Sequence, residues 1–423
     1  RRCFEANLNN FHRRPNLQRR SQESMARQKI ILAYSGGLDT SVAVPWLIEN
    51  YDAEVITLTI DLGMVDLDSI KERALKVGAS KALTVDGKET LVNEFLFPAL
   101  QAGAIYEERY PLATALGRPL IARYMAEAAL SEGAYAIAHG CTGKGNDQVR
   151  IEVGIAALAP ELKVIAPIRE WGMSRDEEIE YGQARNLPIN ASQSRFSVDE
   201  NLWGRSAEAG ELEDPWAEPP EEAFTWTKAI ADTPDEPGYL EIHFDHGIPT
   251  AIDGEEMDGV ALVAHLNALA GIHGVGRIDH LENRLVGIKS REIYEAPAAT
   301  ILHAAHNALE NLTLTKEQAR TKAHLAREYA DMVYNGLWFS HHRTDLDSYV
   351  QSTQRYVTGD VKVRLHRANC TVVGRKAPDS LYQYSLATYD RSDEFDHRSA
   401  EGFISIYSLP VRTQNQAQRN NDK

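Results

Sequence analysis

Two loops in this chain concentrate side chains that could do chemistry. The first runs Ala33, Tyr34, Ser35, Gly36, Gly37, Leu38, Asp39, Thr40 and Ser41. Paired glycines let backbone amides converge on an anion. Hydroxyls at 35, 40 and 41 add donors, and a helix starting there would aim its positive end at the same point. That combination suits a pyrophosphate. The second loop runs from His139 through Gly140, Cys141, Thr142, Gly143, Lys144, Gly145, Asn146, Asp147, Gln148 and Val149 to Arg150. Glycines this dense are costly inside a packed element and are explained when backbone must come close to a ligand. Thr142, Asn146 and Asp147 offer groups suited to an ammonium, and Arg150 offers a planar fork for a carboxylate or phosphate. An amino acid bearing both charges fits that set.

An isolated Ser-Gly-Gly would read as a tight turn; what gives these loops weight is the elements around them. From Lys29 onward, short β-rich runs at 30–34, 54–60, 82–85, 135–138 and 163–166 alternate with longer segments at 66–77, 89–102, 114–132 and 148–158. In the longer segments apolar residues recur three and four apart, the spacing of helices packed on a sheet. Each loop lies directly after a strand-like run and before a helical one. The pattern predicts a doubly wound α/β domain with a parallel sheet, spanning 25–190. Beyond it, 210–222 is too rich in Pro and acid for a helix interior or central strand. Runs at 240–244 and 249–252, and at 361–365 and 371–373, read as antiparallel hairpins. Helical patterns at 298–312 and 316–335 lie between the hairpins, so 191–409 is expected to be an α+β domain. The polar segment 410–423 is expected to be a frayed tail.

Composition narrows the function. At 423 residues, 43% hydrophobic and 25% charged, the chain exceeds one ordinary core and is too apolar to be disordered. No run approaches the roughly 18 apolar residues of a membrane span. Lys and Arg number 45 against 61 Asp and Glu, which opposes bulk nucleic-acid binding. Cys3, Cys141 and Cys370 are too scattered for a disulfide framework or a paired metal knuckle, and a reducing cytoplasm fits best. The scattered histidines show no metal-binding spacing. Residues 1–24 carry six Arg against two Glu and are expected to be a leader outside the fold, with a transit peptide as the sharper alternative.

The first loop has neither the GxxxxGK[ST] spacing of kinase-type phosphate loops nor the GxGxxG of dinucleotide folds. SGGLDTS instead resembles the loop of the N-type ATP pyrophosphatases, which cut ATP between the α and β phosphates. With the second loop and the rest of the chain from about Lys29 to Leu409, it is similar to argininosuccinate synthase. Further matching stretches include Tyr106-Glu107-Glu108-Arg109-Tyr110, Arg118-Pro119, Asp199-Glu200-Asn201-Leu202, Glu282-Asn283-Arg284, Lys289-Ser290-Arg291 and Ile293-Tyr294-Glu295. The resemblance implies a nucleotide-binding domain followed by a synthetase domain. It further implies ligation of L-citrulline to L-aspartate through citrullyl-AMP, with release of AMP and pyrophosphate.

Carried over residue by residue, it implies that Ala33 to Ser41, Ile60 and Gly140 face ATP, and that Thr142, Asn146 and Asp147 hold aspartate. Tyr110, Ala115, Asn146, Arg150, Ser197, Ser206, Glu282 and Tyr294 would hold citrulline. Ser35, Asp39 and Asp147 are the implied catalytic groups, with Asp39 holding the Mg²⁺ that accompanies ATP as co-substrate. No tightly bound organic cofactor is implied, and a homotetramer is. The chain departs from the family where Ala115 replaces a citrulline-contacting Ser, where Ile60 replaces a small residue beside the adenine, and where Glu292 replaces a common Gly. A different adenylating enzyme would ordinarily need paired thiols, a glutamine-hydrolysing domain or a basic RNA face. A catalytically silent paralogue, the other alternative, would release no pyrophosphate.

Overall fold

A computed structural model describes residues 27–63, 66–188 and 195–419. The expected leader, 1–24, lies outside the described residues. The strands are β1 (Lys29–Ala33), β2 (Glu54–Asp61), β3 (Lys81–Asp86), β4 (Ala136–Ala138), β5 (Lys163–Ile165), β6 (Ser197–Asn201), β7 (Gly204–Glu208), β8 (Gly238–Asp245), β9 (Ile248–Ile252), β10 (Glu255–Glu256), β11 (Arg277–Asn283), β12 (Lys289–Glu295), β13 (Gly359–His366) and β14 (Asn369–Lys376).

The first five form an all-parallel sheet in the order β3-β2-β1-β4-β5. Successive side chains of a strand point to opposite faces, and here both faces are covered. Ile30 and Leu32 join Val44, Leu47 and Ile165 in one core, while Ile31 joins Ile56, Leu58, Met125, Ile137 and Ile155 in the other. That double burial is why these strands read as continuous apolar runs. The helix expected over 89–102 is broken into Lys88–Leu91, a π turn at Val92–Leu96 and Phe97–Ala102. Pro98 supplies the reason: it has no N–H for the α ladder and its ring would strike the carbonyl four residues back, and the wider turn makes room. The strand order reverses between β1 and β4, so their C-terminal loops part and leave a crevice.

Two antiparallel sheets follow. The larger, β10-β9-β8-β13-β14, contains both expected hairpins. Its Ile242, Phe244, Val361, Val363 and Leu365 pack with Leu302 and Leu309 of helix Pro297–Thr313. The smaller, β11-β12-β7-β6, did not register as strands in the sequence. It is fastened to the parallel domain through polar atoms. The Leu202 amide donates to Leu62 O at 2.9 Å, Asn201 Nδ2 to Ala113 O at 2.7 Å and Trp203 Nε1 to Pro111 O at 2.8 Å. Residues 210–222 form an irregular connection with short 3₁₀ turns at Gly210–Glu213 and Glu221–Ala223.

The tail corrects an expectation. Instead of fraying, it forms helix Leu409–Arg419 after helix His397–Tyr407, with residues 420–423 outside the described set. A polar sequence still sustains a helix when strong formers such as Gln and Arg fill it. Neither helix has a buried residue, and Phe403, Ile404, Ile406 and Tyr407 are exposed. No described helix is long and apolar enough to cross a membrane.

Candidate active site

The first loop leaves β1 and enters helix Leu38–Tyr51. Gly36 adopts φ +77°, a left-handed conformation open to glycine at little cost. Hydroxyls stabilise the turn: Ser35 Oγ lies 3.2 Å from Thr40 Oγ1 and accepts from the Gly37 amide at 3.3 Å, and Tyr34 Oη lies 3.0 Å from Ser41 Oγ. Asp39 falls in the first helical turn, next to the buried Glu178 of helix Arg175–Ala184. Burial, and then the Asp39 charge beside it, push Glu178 up to about 8. Two hard oxygen donors so placed fit Mg²⁺, which takes one or two carboxylates together with substrate phosphates.

The second loop leaves β4, the neighbour of β1, and enters helix Asp147–Leu158. The two loops touch: a Cβ on Gly140 would stand 2.9 Å from Thr40 Cγ2, so only glycine permits this approach. His139 Nδ1 accepts from the Cys141 amide at 3.2 Å, and its Nε2 meets Glu152 at 3.1 Å. Gln148 Nε2 donates to Gly143 O and Gly145 O, holding the loop against its own helix.

Beyond the second loop lies a cavity of about 130 Å³. Of the residues the resemblance implies, Tyr110, Thr142, Asn146, Asp147, Arg150, Ser206, Glu282 and Tyr294 line it. Thr114, Gly145, Asp199, Glu208, Arg284 and Glu292 complete the lining. Ala115 is not among them; it is fully buried in the apolar core, and its neighbour Thr114 faces the cavity instead, bonded to Tyr110 Oη at 2.7 Å. Ser197 lies exposed at the start of β6, also outside the lining. Ile60 sits at the end of β2 against Gly87, and Ala33 to Ser41 lie outside the lining, reaching the second loop at the Gly140 contact.

One wall of the cavity is an ion network. Arg150 Nη1 donates to Asp147 Oδ1 at 2.9 Å, and Arg118 Nη2 reaches Asp147 Oδ2 at 2.7 Å while also pairing with Asp199. Burial alone would raise Asp147, but the two guanidiniums hold it down at about 2. Arg150 Nε donates to Tyr334 O at 2.9 Å and the guanidinium lies over the Tyr334 ring, yet its buried Nη2 has no partner among the described residues. A buried donor left unsatisfied is costly unless something binds there.

The facing wall comes from the small sheet. Glu282 on β11 accepts from Tyr294 Oη and from Tyr334 Oη, each at 2.6 Å. Tyr334 in turn accepts from Asn146 Nδ2 at 2.8 Å, and Asn146 Oδ1 accepts from the Leu285 amide at 2.9 Å. This chain of bonds ties the second loop, the end of helix Lys316–Tyr334 and the β11–β12 hairpin together. Stacked rings stiffen it, with Tyr106 on Tyr334 at 3.6 Å and Tyr110 on Tyr294 at 4.2 Å between centroids. Arg284 pairs with both Glu208 and Glu292. Burial, then repulsion from Glu208 and Glu282, push Glu292 up to about 9. With spare guanidinium donors on one side and carboxylates on the other, the cavity can orient a zwitterion.

Sequence reasoning missed Tyr334, Arg284, Glu208, Arg118 and Thr114 as site residues. Arg118 and Arg284 lay within recognised stretches, and their charge was the available signal. Nothing in the sequence distinguishes Tyr334 from a packing tyrosine at a helix end.

A reversed-order parallel sheet, a glycine-rich loop at its switch point and a polar cavity beside the neighbouring loop are the features of a nucleotide-binding α/β domain joined to a small-molecule site. Comparison with known proteins agrees and goes further. Residues 29–188 match the model of the arginosuccinate synthase N-terminal HUP domain, and 196–414 match that of the arginosuccinate synthase C-terminal domain. Argininosuccinate synthase of Dehalococcoides mccartyi is 56% identical over 393 residues, covering 92% of this chain and 97% of the relative. The enzyme of Symbiobacterium thermophilum is 54% identical, covering 92% and 98%, and that of Trichodesmium erythraeum 56%, covering 91% and 97%. The chain belongs to the argininosuccinate synthase family.

Proposed function

We propose that the protein joins L-citrulline to L-aspartate with ATP, forming argininosuccinate, AMP and pyrophosphate. The observation that carries this reading is the juxtaposition at Gly140 and Thr40, where the loop whose later residues Thr142 to Arg150 line a cavity suited to a zwitterion meets a loop suited to phosphates. The citrulline ureido oxygen attacks the α-phosphorus of ATP, the α–β bridging P–O bond breaks, and pyrophosphate leaves with the electron pair. The aspartate amine then attacks the ureido carbon of citrullyl-AMP and expels AMP.

Arg150, with a donor to spare, and Tyr110, Ser206, Glu282 and Tyr294 hold the citrulline zwitterion. Thr142, Asn146 and Asp147 hold aspartate. Asn146 bonds Tyr334 and the Leu285 amide through the two ends of its side-chain amide, so besides keeping one Nδ2 hydrogen for aspartate it positions Tyr334 and, through it, Glu282. Ser35 to Ser41 cradle the phosphates, and Asp39 would hold the Mg²⁺ that arrives with ATP and neutralises phosphate charge. Neither step needs a covalent enzyme intermediate, so positioning and fixed charge supply most of the acceleration.

The working form we propose is a cytoplasmic homotetramer. Support comes from the apolar side chains of helix His397–Tyr407, exposed in the single chain, and from the free thiols of Cys141 and Cys370. Light scattering on the purified protein is expected to give four chains per particle. Turnover is tested by assaying AMP and pyrophosphate from MgATP with citrulline and aspartate together and with each omitted. Sustained formation of both products is expected only when both amino acids are present; with aspartate omitted, pyrophosphate should stop at about one equivalent per site without free AMP, and turnover without citrulline would refute the reading.

A further inference from the structure

We propose that Arg73 is the side chain that meets the leaving pyrophosphate. The inference rests on the reading that the loop Ala33–Ser41 holds the phosphates of ATP. Arg73 lies on helix Leu67–Lys76, which meets that loop at Gly36. Its Nη1 donates to Gly36 O at 2.6 Å, and Ile70 on the same helix comes within 3.3 Å of the position a Gly36 Cβ would take. The guanidinium is thus anchored to the peptide that gives the loop its turn.

What sets Arg73 apart is its company. The cavity guanidiniums Arg118, Arg150 and Arg284 all pair with carboxylates. Among the described residues Arg73 pairs with none, and its recorded bond uses one of the five donors in the fork. A half-buried cation with no carboxylate, fixed at the edge of an anion-binding turn, has its remaining donors available to an arriving anion. The need for such a cation is local. SGGLDTS contains no Lys or Arg, whereas Asp39 and the adjacent Glu178 bring acid to the same place. When the α–β bridging bond breaks, its electron pair goes to pyrophosphate, and charge accumulates on oxygens that, apart from the Mg²⁺ arriving with ATP, the loop's own groups meet only with neutral amides and hydroxyls. Arg73 exchanges no proton in this step; it stabilises the departing charge.

The test compares product inhibition of the unaltered chain with that of Arg73→Ala and Arg73→Lys. Arg, Lys and Ala are all good helix formers, so helix Leu67–Lys76 should persist in each. In Arg73→Ala, inhibition by pyrophosphate is expected to weaken about ten- to a hundredfold, the range for losing hydrogen bonds to a charged group. The rate of AMP formation should fall with it, while inhibition by AMP and the KM values for citrulline and aspartate stay within about twofold. Arg73→Lys should fall between, keeping the charge without the fork. Unchanged pyrophosphate inhibition would overturn the proposal. So would equal weakening of AMP and pyrophosphate inhibition, which would mean that Arg73 only shapes the turn through Gly36. Thermal stabilisation by inorganic pyrophosphate alone reads the same contact without turnover. A chain that made no AMP from citrulline and aspartate would thereby sink the functional reading while leaving Arg73 separately testable.

Discussion

The parallel sheet and the small antiparallel sheet contribute one wall each to the same site, yet their strands are built on opposite terms. β1 and β2 read KIILA and EVITLTID, buried almost throughout because helices cover both faces. β6, β7, β11 and β12 read SVDEN, GRSAE, RIDHLEN and KSREIYE. In these strands the positions that would ordinarily carry apolar residues carry Asp199, Ser206, Glu208, Glu282 and Glu292, which face the cavity. The parallel sheet holds its loops from outside the chemistry, so its strands remain free to be hydrophobic. The small sheet makes its strand faces the binding surface and gives up the alternation that marks a strand.

Four substitutions press on that contrast. The largest effect is expected from Arg150→Ala, which takes a buried guanidinium from Asp147 and leaves a hole beside the Tyr334 ring. Breaking one side of a buried ion pair costs about 3–5 kcal/mol. Steady-state kinetics should show kcat/KM for citrulline down by at least about a hundredfold, with KM for ATP little changed. Equal losses for citrulline and ATP would mean that the two walls are not separable.

Gly140→Ala attacks the junction instead, placing a methyl 2.9 Å from Thr40 Cγ2. Overpacking of this kind costs about 1–3 kcal/mol and is expected to raise the KM for ATP roughly tenfold. Adding Thr40→Ser removes the offending methyl and should restore much of the loss. A double-mutant cycle showing simple additivity would deny the contact.

Tyr334→Phe deletes the hydroxyl between Asn146 and Glu282. About 1–3 kcal/mol is at stake, read as a higher KM for citrulline and a lower melting temperature. An unchanged KM would relegate Tyr334 to packing.

The smallest effect concerns Glu292, held up at about 9 by burial and by Glu208 and Glu282, with Arg284 opposing. A carboxyl raised in the folded state binds its proton more tightly there than in the unfolded chain. Its contribution to stability is therefore complete below the ordinary value of 4.5 and is lost as pH rises through about 9. Glu292→Gln should flatten the decline of melting temperature across that window. A decline as steep as that of the unaltered chain would show that Glu292 is not the group responsible.

The contrast also explains what was legible in the sequence. Ile30, Ile31 and Leu32 announce β1 because strand burial and loop placement coincide there, and the loops at 33–41 and 139–150 follow from it. Glu282, Tyr294 and Ser206 could be named through resemblance, but β11, β12 and β7 could not be seen as strands, since polar residues occupy both faces. Ala115 and Ser197 mark the limit of residue-by-residue transfer. Ala115 points into the core from a helix whose preceding residue, Thr114, supplies the cavity hydroxyl, and Ser197 begins a strand whose Asp199 reaches the cavity. Tyr334 acts from a helix more than 180 residues beyond Asn146, a distance over which sequence spacing carries no information.

The central claim is that the cavity delivers the citrulline ureido oxygen to the α-phosphorus bound at the first loop. The most direct measurement supplies citrulline labelled with oxygen-18 in the ureido group, together with MgATP and aspartate, and analyses AMP by mass spectrometry. Label in the AMP phosphate is the result expected. Unlabelled AMP, formed at the same rate as argininosuccinate, would contradict the claim.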